Sequence, residues 1–182
     1  MMKHAPASPH RSRRILAALV AVTLAVGLAG CFASGGGSGG QTAAAAMRQV
    51  KAIPGSAAST YVASDSSYSG FTKVISTTVN LDIAPDHVIP DPGALIDYLI
   101  RVAWSVNDAK PNGDLLVTID SAVAVDATAA AKAAGWATAH SLSNAPTSVF
   151  VKLSEAKKRL GDWPGKVPTA PDGVIVAGTP SP

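Results

Sequence analysis

Between Ile75 and Ile83, Ile75, Thr77, Val79, Leu81 and Ile83 alternate with Ser76, Thr78, Asn80 and Asp82. In an extended chain successive side chains point to opposite faces, so a period of two with this content predicts a half-buried strand with one wet face. A second stretch repeats the pattern: Leu115, Val117, Ile119, Ser121, Val123 and Val125 alternate with Leu116, Thr118, Asp120, Ala122 and Ala124. Strands of this kind need cover on one side only. The cover lies between them in the chain. Asp91 can cap the first turn of a helix and Pro92 suits its first position, where no donor is needed. Leu95, Leu99, Val102 and Val106 then form one apolar stripe, widened by Ile96, Ile100 and Ala103.

Weaker signals fill in the rest. Thr42 can cap a short helix over 43–52 that ends at Pro54-Gly55, and Ser56–Ser64 reads as a weak strand followed by a polar turn over 65–70. Asp126 can cap an alanine-rich helix that stops at Gly135, with Trp136 placed to fold back in a Schellman-type contact. Ser148–Leu153 predicts a further strand, Ser154 starts a last short helix, and Val174–Val176 offers an edge strand. The pattern predicts an α+β fold: a two-layer sandwich with a mostly antiparallel sheet of about four strands, covered on one face by helices. The order of elements from Thr42 to Val125 resembles part of a ferredoxin-like repeat, a likeness that carries no function by itself.

The amino-terminal stretch concerns location. Lys3, Arg11, Arg13 and Arg14 precede an apolar run from Ile15 to Val26, and small residues follow up to Cys31, the single cysteine. A basic region, a short apolar region and a small-residue junction make a secretory signal. Leu28-Ala29-Gly30-Cys31 resembles the lipobox of bacterial lipoproteins at all four positions. That resemblance implies diacylglyceryl transfer to the Cys31 sulfur, cleavage after Gly30, and anchoring on the extracytoplasmic face of the cell membrane. An uncleaved span from Ile15 to Phe32 is the competing reading, but it only just reaches the lower limit of about 18 residues, Gly27 and Gly30 dilute its end, and Cys31 would be without a role.

Composition then divides at that junction. The whole chain of 182 residues has 15 basic and 12 acidic side chains. Four of the basic ones lie before Cys31, so the remaining 152 residues carry 11 against 12. The basic balance belongs to the leader, and no basic face remains for nucleic acid. The acids are eleven Asp and Glu155 alone, in a chain rich in Ala, Gly, Thr and Val, and this resembles exported actinobacterial lipoproteins. The expected organisation is a leader over 1–30, lipidated Cys31 with a Gly/Ser tether over 31–41, one α+β domain over 42–167, and a Pro/Gly-rich tail over 168–182. A tether of that composition spans about 5–6 Å times the square root of its length.

Few side chains group as chemistry requires. Asp82, Asp86, His87 and Asp91 surround one strand-to-helix loop, but their spacing fits no ligand template and a solvated, helix-capping loop explains them. Asp108–Asp114 matches a calcium loop in part, yet Lys110 takes a ligand position and Ile119 stands where the bidentate Glu belongs. No metal or other cofactor is expected. His87 and His140 are the two histidines beyond the leader, and no Gly-x-Ser-x-Gly elbow accompanies them. Glu155 sits beside Lys157, Lys158 and Arg159, as on a solvated helix end. Tyr98, Arg101 and Trp104 share a flank of the main helix, where they either pack at the core edge or form a partner surface. The expected function is a non-catalytic binding module of the cell envelope whose partners are the membrane, through Cys31, and an envelope protein or wall component. The alternatives are a small hydrolase using His87 or His140 and a solute-binding lipoprotein, for which the chain is short.

Overall fold

The computed structural model describes residues 39–141 and 145–178. Leu28, Ala29, Gly30, Cys31 and the tether up to residue 38 lie outside the described residues. The elements are α1 (Ala43–Lys51), β1 (Tyr61–Ser69), β2 (Thr72–Asp82), β3 (His87–Val88), α2 (Pro92–Ser105), β4 (Leu115–Asp120), α3 (Ala127–Ala133), β5 (Ser148–Val151), α4 (Leu153–Leu160) and β6 (Val176–Ala177).

The main sheet has four strands in the order β1-β2-β4-β5. Its outer pairs are antiparallel and the central pair, β2 with β4, is parallel. The α+β class and the helix-covered sheet are as the patterning indicates. The likeness to a ferredoxin-like repeat ends with the element order, because β2 and β4 are direct neighbours around α2. A split βαβ unit leaves room for another strand between them. Val79, Leu81, Leu115, Val117, Ile119, Val149 and Val151 are all fully buried on the covered face. The open face carries Thr118 and Ser148, whose hydroxyls bond at 2.9 Å, and Phe150, stacked on the His140 ring with centroids 5.6 Å apart.

The central helix α2 is the axis of the core. Asp91 Oδ1 accepts from the Ala94 amide at 2.9 Å, and Pro92 opens the helix as its lack of a donor favours. Leu95, Ile96, Leu99, Ile100 and Val102 are 0% exposed, each contributing about 1.5–3 kcal/mol by leaving water. Helix α3 ends as its sequence indicates. Gly135, at φ 88°, donates to the Lys132 carbonyl and Trp136 to the Ala131 carbonyl, both at 2.9 Å, which is the paired bonding of a Schellman cap. That cap turns the Trp136 ring into the core, where it is 0% exposed.

Three boundaries differ from expectation. Strand β1 runs on through Ser69, because Asp65–Ser69 pairs residue by residue with Thr72–Ser76 in an exposed hairpin arm. Polarity there marks two wet faces rather than a turn. Strand β4 stops at Asp120, although the alternation continues to Val125, because the chain turns away toward the Asp126 cap of α3. The stretch from 168 is part of the domain rather than a tail: Val174 and Ile175 are each 4% exposed, and β6 pairs with β3 through Val176 and Ala177. At the other end of the domain the chain is already docked at Gln41, whose amide donates to the Ser105 carbonyl at 2.7 Å.

Candidate functional site

The two parallel strands β2 and β4 end side by side at Asp82 and Asp120. Crevices at the carboxyl ends of parallel strands are where open α/β sheets commonly hold ligands. Here the loops that follow lead to β3 and α2 on one side and to α3 on the other, and they leave an open groove of about 1020 Å³. One wall is Val88, Ile89, Pro92, Gly93 and Ala94; the other is Val123, Ala124, Val125, Ala129, Ala130, Ala133 and Ala134. The size is that of a ligand pocket and the lining is mainly apolar, as such pockets are. Small residues on α2 and α3 keep the helical walls low.

The polar groups along the groove are already engaged. Asp91 caps α2, and Asp126 caps α3 by accepting from the Ala129 amide at 2.8 Å. Asp97 accepts from Arg101 Nε at 2.6 Å and from Trp136 Nε1 at 3.0 Å, with Arg159 Nη2 at 3.6 Å. The Ser121 hydroxyl donates to the Val123 carbonyl at 2.6 Å. His87 Nδ1 lies 2.8 Å from Asp86 Oδ1, a bond that holds the Asp86 carboxyl below the usual aspartate range. With its carboxylates capped or paired, the groove offers shape and apolar area more than free charge.

The surface drawn from the sequence through Tyr98, Arg101 and Trp104 requires correction. Tyr98 is 2% exposed and Trp104 4%, so both belong to the core, and burial pushes the Tyr98 hydroxyl up to about 12. Two broad aromatic rings at i and i+6 of a helix packed against the sheet and its neighbours fill space there. Arg101 alone of the three reaches solvent, and it is held by Asp97 on the preceding turn.

The acidic loop does not converge. Asp82 bonds the Ser59 hydroxyl, Asp86 pairs with His87, and Asp91 caps α2. Among the described residues no group of three or more His, Cys, Asp or Glu side chains is placed to hold a metal ion. Asp108 Oδ2 accepts from the Ala43 amide at 2.7 Å, and Asn112 bonds β2 at Lys73 and Ile75, so the loop over 108–114 fastens α1 and β2. His140 lies on the sheet's open face with Nε2 3.9 Å from Asp114 Oδ2.

Glu155 has a definite structural role. Its carboxylate accepts from the Ala137 amide at 2.6 Å, the Thr138 amide at 2.8 Å and the Thr138 hydroxyl, tying α4 to the segment after α3. Burial pushes its pKa up, but the bonds from Thr138 and Ala137 and the nearby Arg159 charge outweigh this and hold it below the ordinary glutamate value. A carboxyl depressed on folding stabilises fully above its unfolded pKa, about 4.3. That stability is lost as pH falls through the lower folded value. Glu155→Gln is expected to cost about 1–2 kcal/mol at pH 7, on the scale of hydrogen bonds to a charged group. The gap from the parent should narrow in urea titrations repeated toward pH 3.

The groove itself was not read from the sequence, although its signal is present: Gly93-Ala94 at the start of α2 and the alanines of α3 are small residues on facing helices. No helix among the described residues is long and apolar enough to cross a membrane. No protein-family model, curated protein or solved structure matches the chain.

Proposed function

We propose that this chain is an extracytoplasmic lipoprotein, anchored through Cys31, whose domain is a non-catalytic binding module using the groove between α2 and α3. The groove carries the reading: it is the size of a ligand site, mainly apolar, and bordered by carboxylates that are already satisfied. Its occupant is an apolar segment of an envelope partner. The groove lies by the amino-terminal end of α2, whereas the chain enters the domain at Gln41 beside Ser105, the last residue of that helix. At about 1.5 Å per residue, the fourteen residues of α2 separate the two ends by roughly 20 Å. Attachment at the Gln41 end therefore leaves the groove unobstructed by the tether and open to partners in the wall or on neighbouring proteins.

A photoreactive residue in place of Val123, which is 50% exposed at the groove, should crosslink one specific partner in intact cells. Adding Ala129→Arg, an exposed wall position, should remove that product by placing a charge in the apolar groove while leaving the fold intact. Identical crosslinks with and without Ala129→Arg would sink the groove as the binding site. A second reading, a small hydrolase, has the His87–Asp86 pair beside the groove in its favour. Against it, Ser121 is committed to its own turn and the Asp86 side chain is 79% exposed. Ester or amide turnover by the purified chain that vanishes in His87→Ala would reverse the choice.

A further inference from the structure

The hairpin arm formed by β1 and β2 ends in the two-residue turn Gly70-Phe71, with Ser69 and Thr72 paired on either side of it. Gly70, at φ 61°, takes the first turn position, where a type II′ hairpin uses glycine. Phe71 takes the second, where polar or small residues are usual, and its side chain is fully exposed at 106%. Tyr68, three residues before it, is 73% exposed. Neither ring packs on the core, so the fold does not account for them. The nearest charge is Lys73, the cross-strand partner of Tyr68, and no carboxylate occurs between Asp65 and Asp82.

The position of this tip gives it a use. Strand β2 pairs with β4 only from Thr78 on, and the loop at Asn112 holds Lys73 and Ile75, so the turn and the residues from Tyr68 to Thr72 are the part that stands clear of the domain. They project from the end of the domain where α2 finishes and where Gln41 docks, opposite the groove. Seven residues, eight peptide steps, lie between Cys31 and Gly39, so the chain can span at most about 26–29 Å there. A chain of that length lets the tip reach the surface that holds the anchor. We infer that the Tyr68–Lys73 tip is a second membrane contact: Phe71 and Tyr68 enter the interfacial layer and Lys73 meets anionic headgroups. Aromatic rings favour that layer, and a basic residue near an anionic surface is attracted to it. The inference rests on lipidation at Cys31. It adds that the domain is held in one orientation, by tail and tip together.

The test uses the full chain, isolated from membranes after processing and placed in vesicles of phosphatidylethanolamine and phosphatidylglycerol. Phe71→Cys and, separately, Val123→Cys each introduce a thiol for an environment-sensitive fluorophore, and the mass of the Cys31 peptide is measured on the same samples. With Cys31 acylated, the label at 71 should be quenched by lipids carrying a quencher on the acyl chain. Its quenching by aqueous iodide should fall roughly tenfold below that of the label at 123, the scale of burying one aromatic ring. An acylated Cys31 with equal iodide access at 71 and 123 overturns the tip contact and leaves the anchor standing. A label at 71 shielded from iodide but unaffected by lipid-borne quenchers also overturns it, assigning the tip to contact with a second copy of the chain. An unmodified Cys31 removes the lipoprotein reading, and the inference falls with it.

Discussion

Trp136→Ala is expected to lower the free energy of unfolding by about 3–5 kcal/mol, the range for removing a large aromatic side chain from a core. In a domain of this size that corresponds to a fall in Tm of roughly 10 °C or more. The ring is 0% exposed, its Nε1–H donates to Asp97 at 3.0 Å, and the Arg159 guanidinium lies 4.0 Å from the ring centroid. Removing it opens a cavity and takes one donor from Asp97 together with the surface on which Arg159 rests. Trp136→Phe keeps most of the packing and loses the donor. Its cost should be nearer 1–2 kcal/mol, since both guanidinium groups remain beside Asp97. Guanidinium chloride unfolding of the three proteins measures both. A loss below about 1 kcal/mol for the alanine variant would show that the ring is not the wedge between α2, α3 and α4 that its burial implies.

Cys31→Ala should move nearly all of the protein from the membrane to the soluble fraction. The comparison is made with export directed by an ordinary cleavable signal, so that the apolar run from Ile15 is removed in the variant. Two acyl chains, at about 0.8 kcal/mol per buried methylene, anchor a protein stably where one does not. One or two aromatic rings at a hairpin tip contribute only a few kcal/mol and cannot replace them. Fractionation followed by immunoblotting reads the shift. An alanine variant that stays with the membrane through a carbonate wash would place the anchor elsewhere.

Periodicity in the sequence located the elements that carry the core. The alternation through Ile83, the Asp91-Pro92 start of α2 and the Gly135-Trp136 stop of α3 are local signals, each with a local cause, and each appears in the structure. Signals that depend on distant neighbours point elsewhere when taken locally. Asp65–Ser69 looks like a turn because it is polar, yet it pairs along its length with Thr72–Ser76. The alternation through Val125 looks like strand, yet Val123 is 50% exposed and borders the groove. Tyr98 and Trp104 carry the residue types of an interface, but whether a helix flank faces water depends on what the rest of the chain lays over it. Val174–Val176 stands out as an edge strand, but the surrounding Pro and Gly say nothing of burial: Val174 and Ile175 pack into the core and the strand forms at Val176–Ala177. The groove is a relation between two loops and two helices; the small residues Gly93, Ala94 and the alanines of α3 mark it only once the two helices are known to face each other.

The mass of the amino-terminal peptide of the polypeptide recovered from its own cells tests the proposed anchored module most directly. The expected peptide begins at Cys31 and carries a diacylglyceryl group on its sulfur. A chain that still contains residues before Cys31, or a Cys31 thiol without lipid, would contradict it.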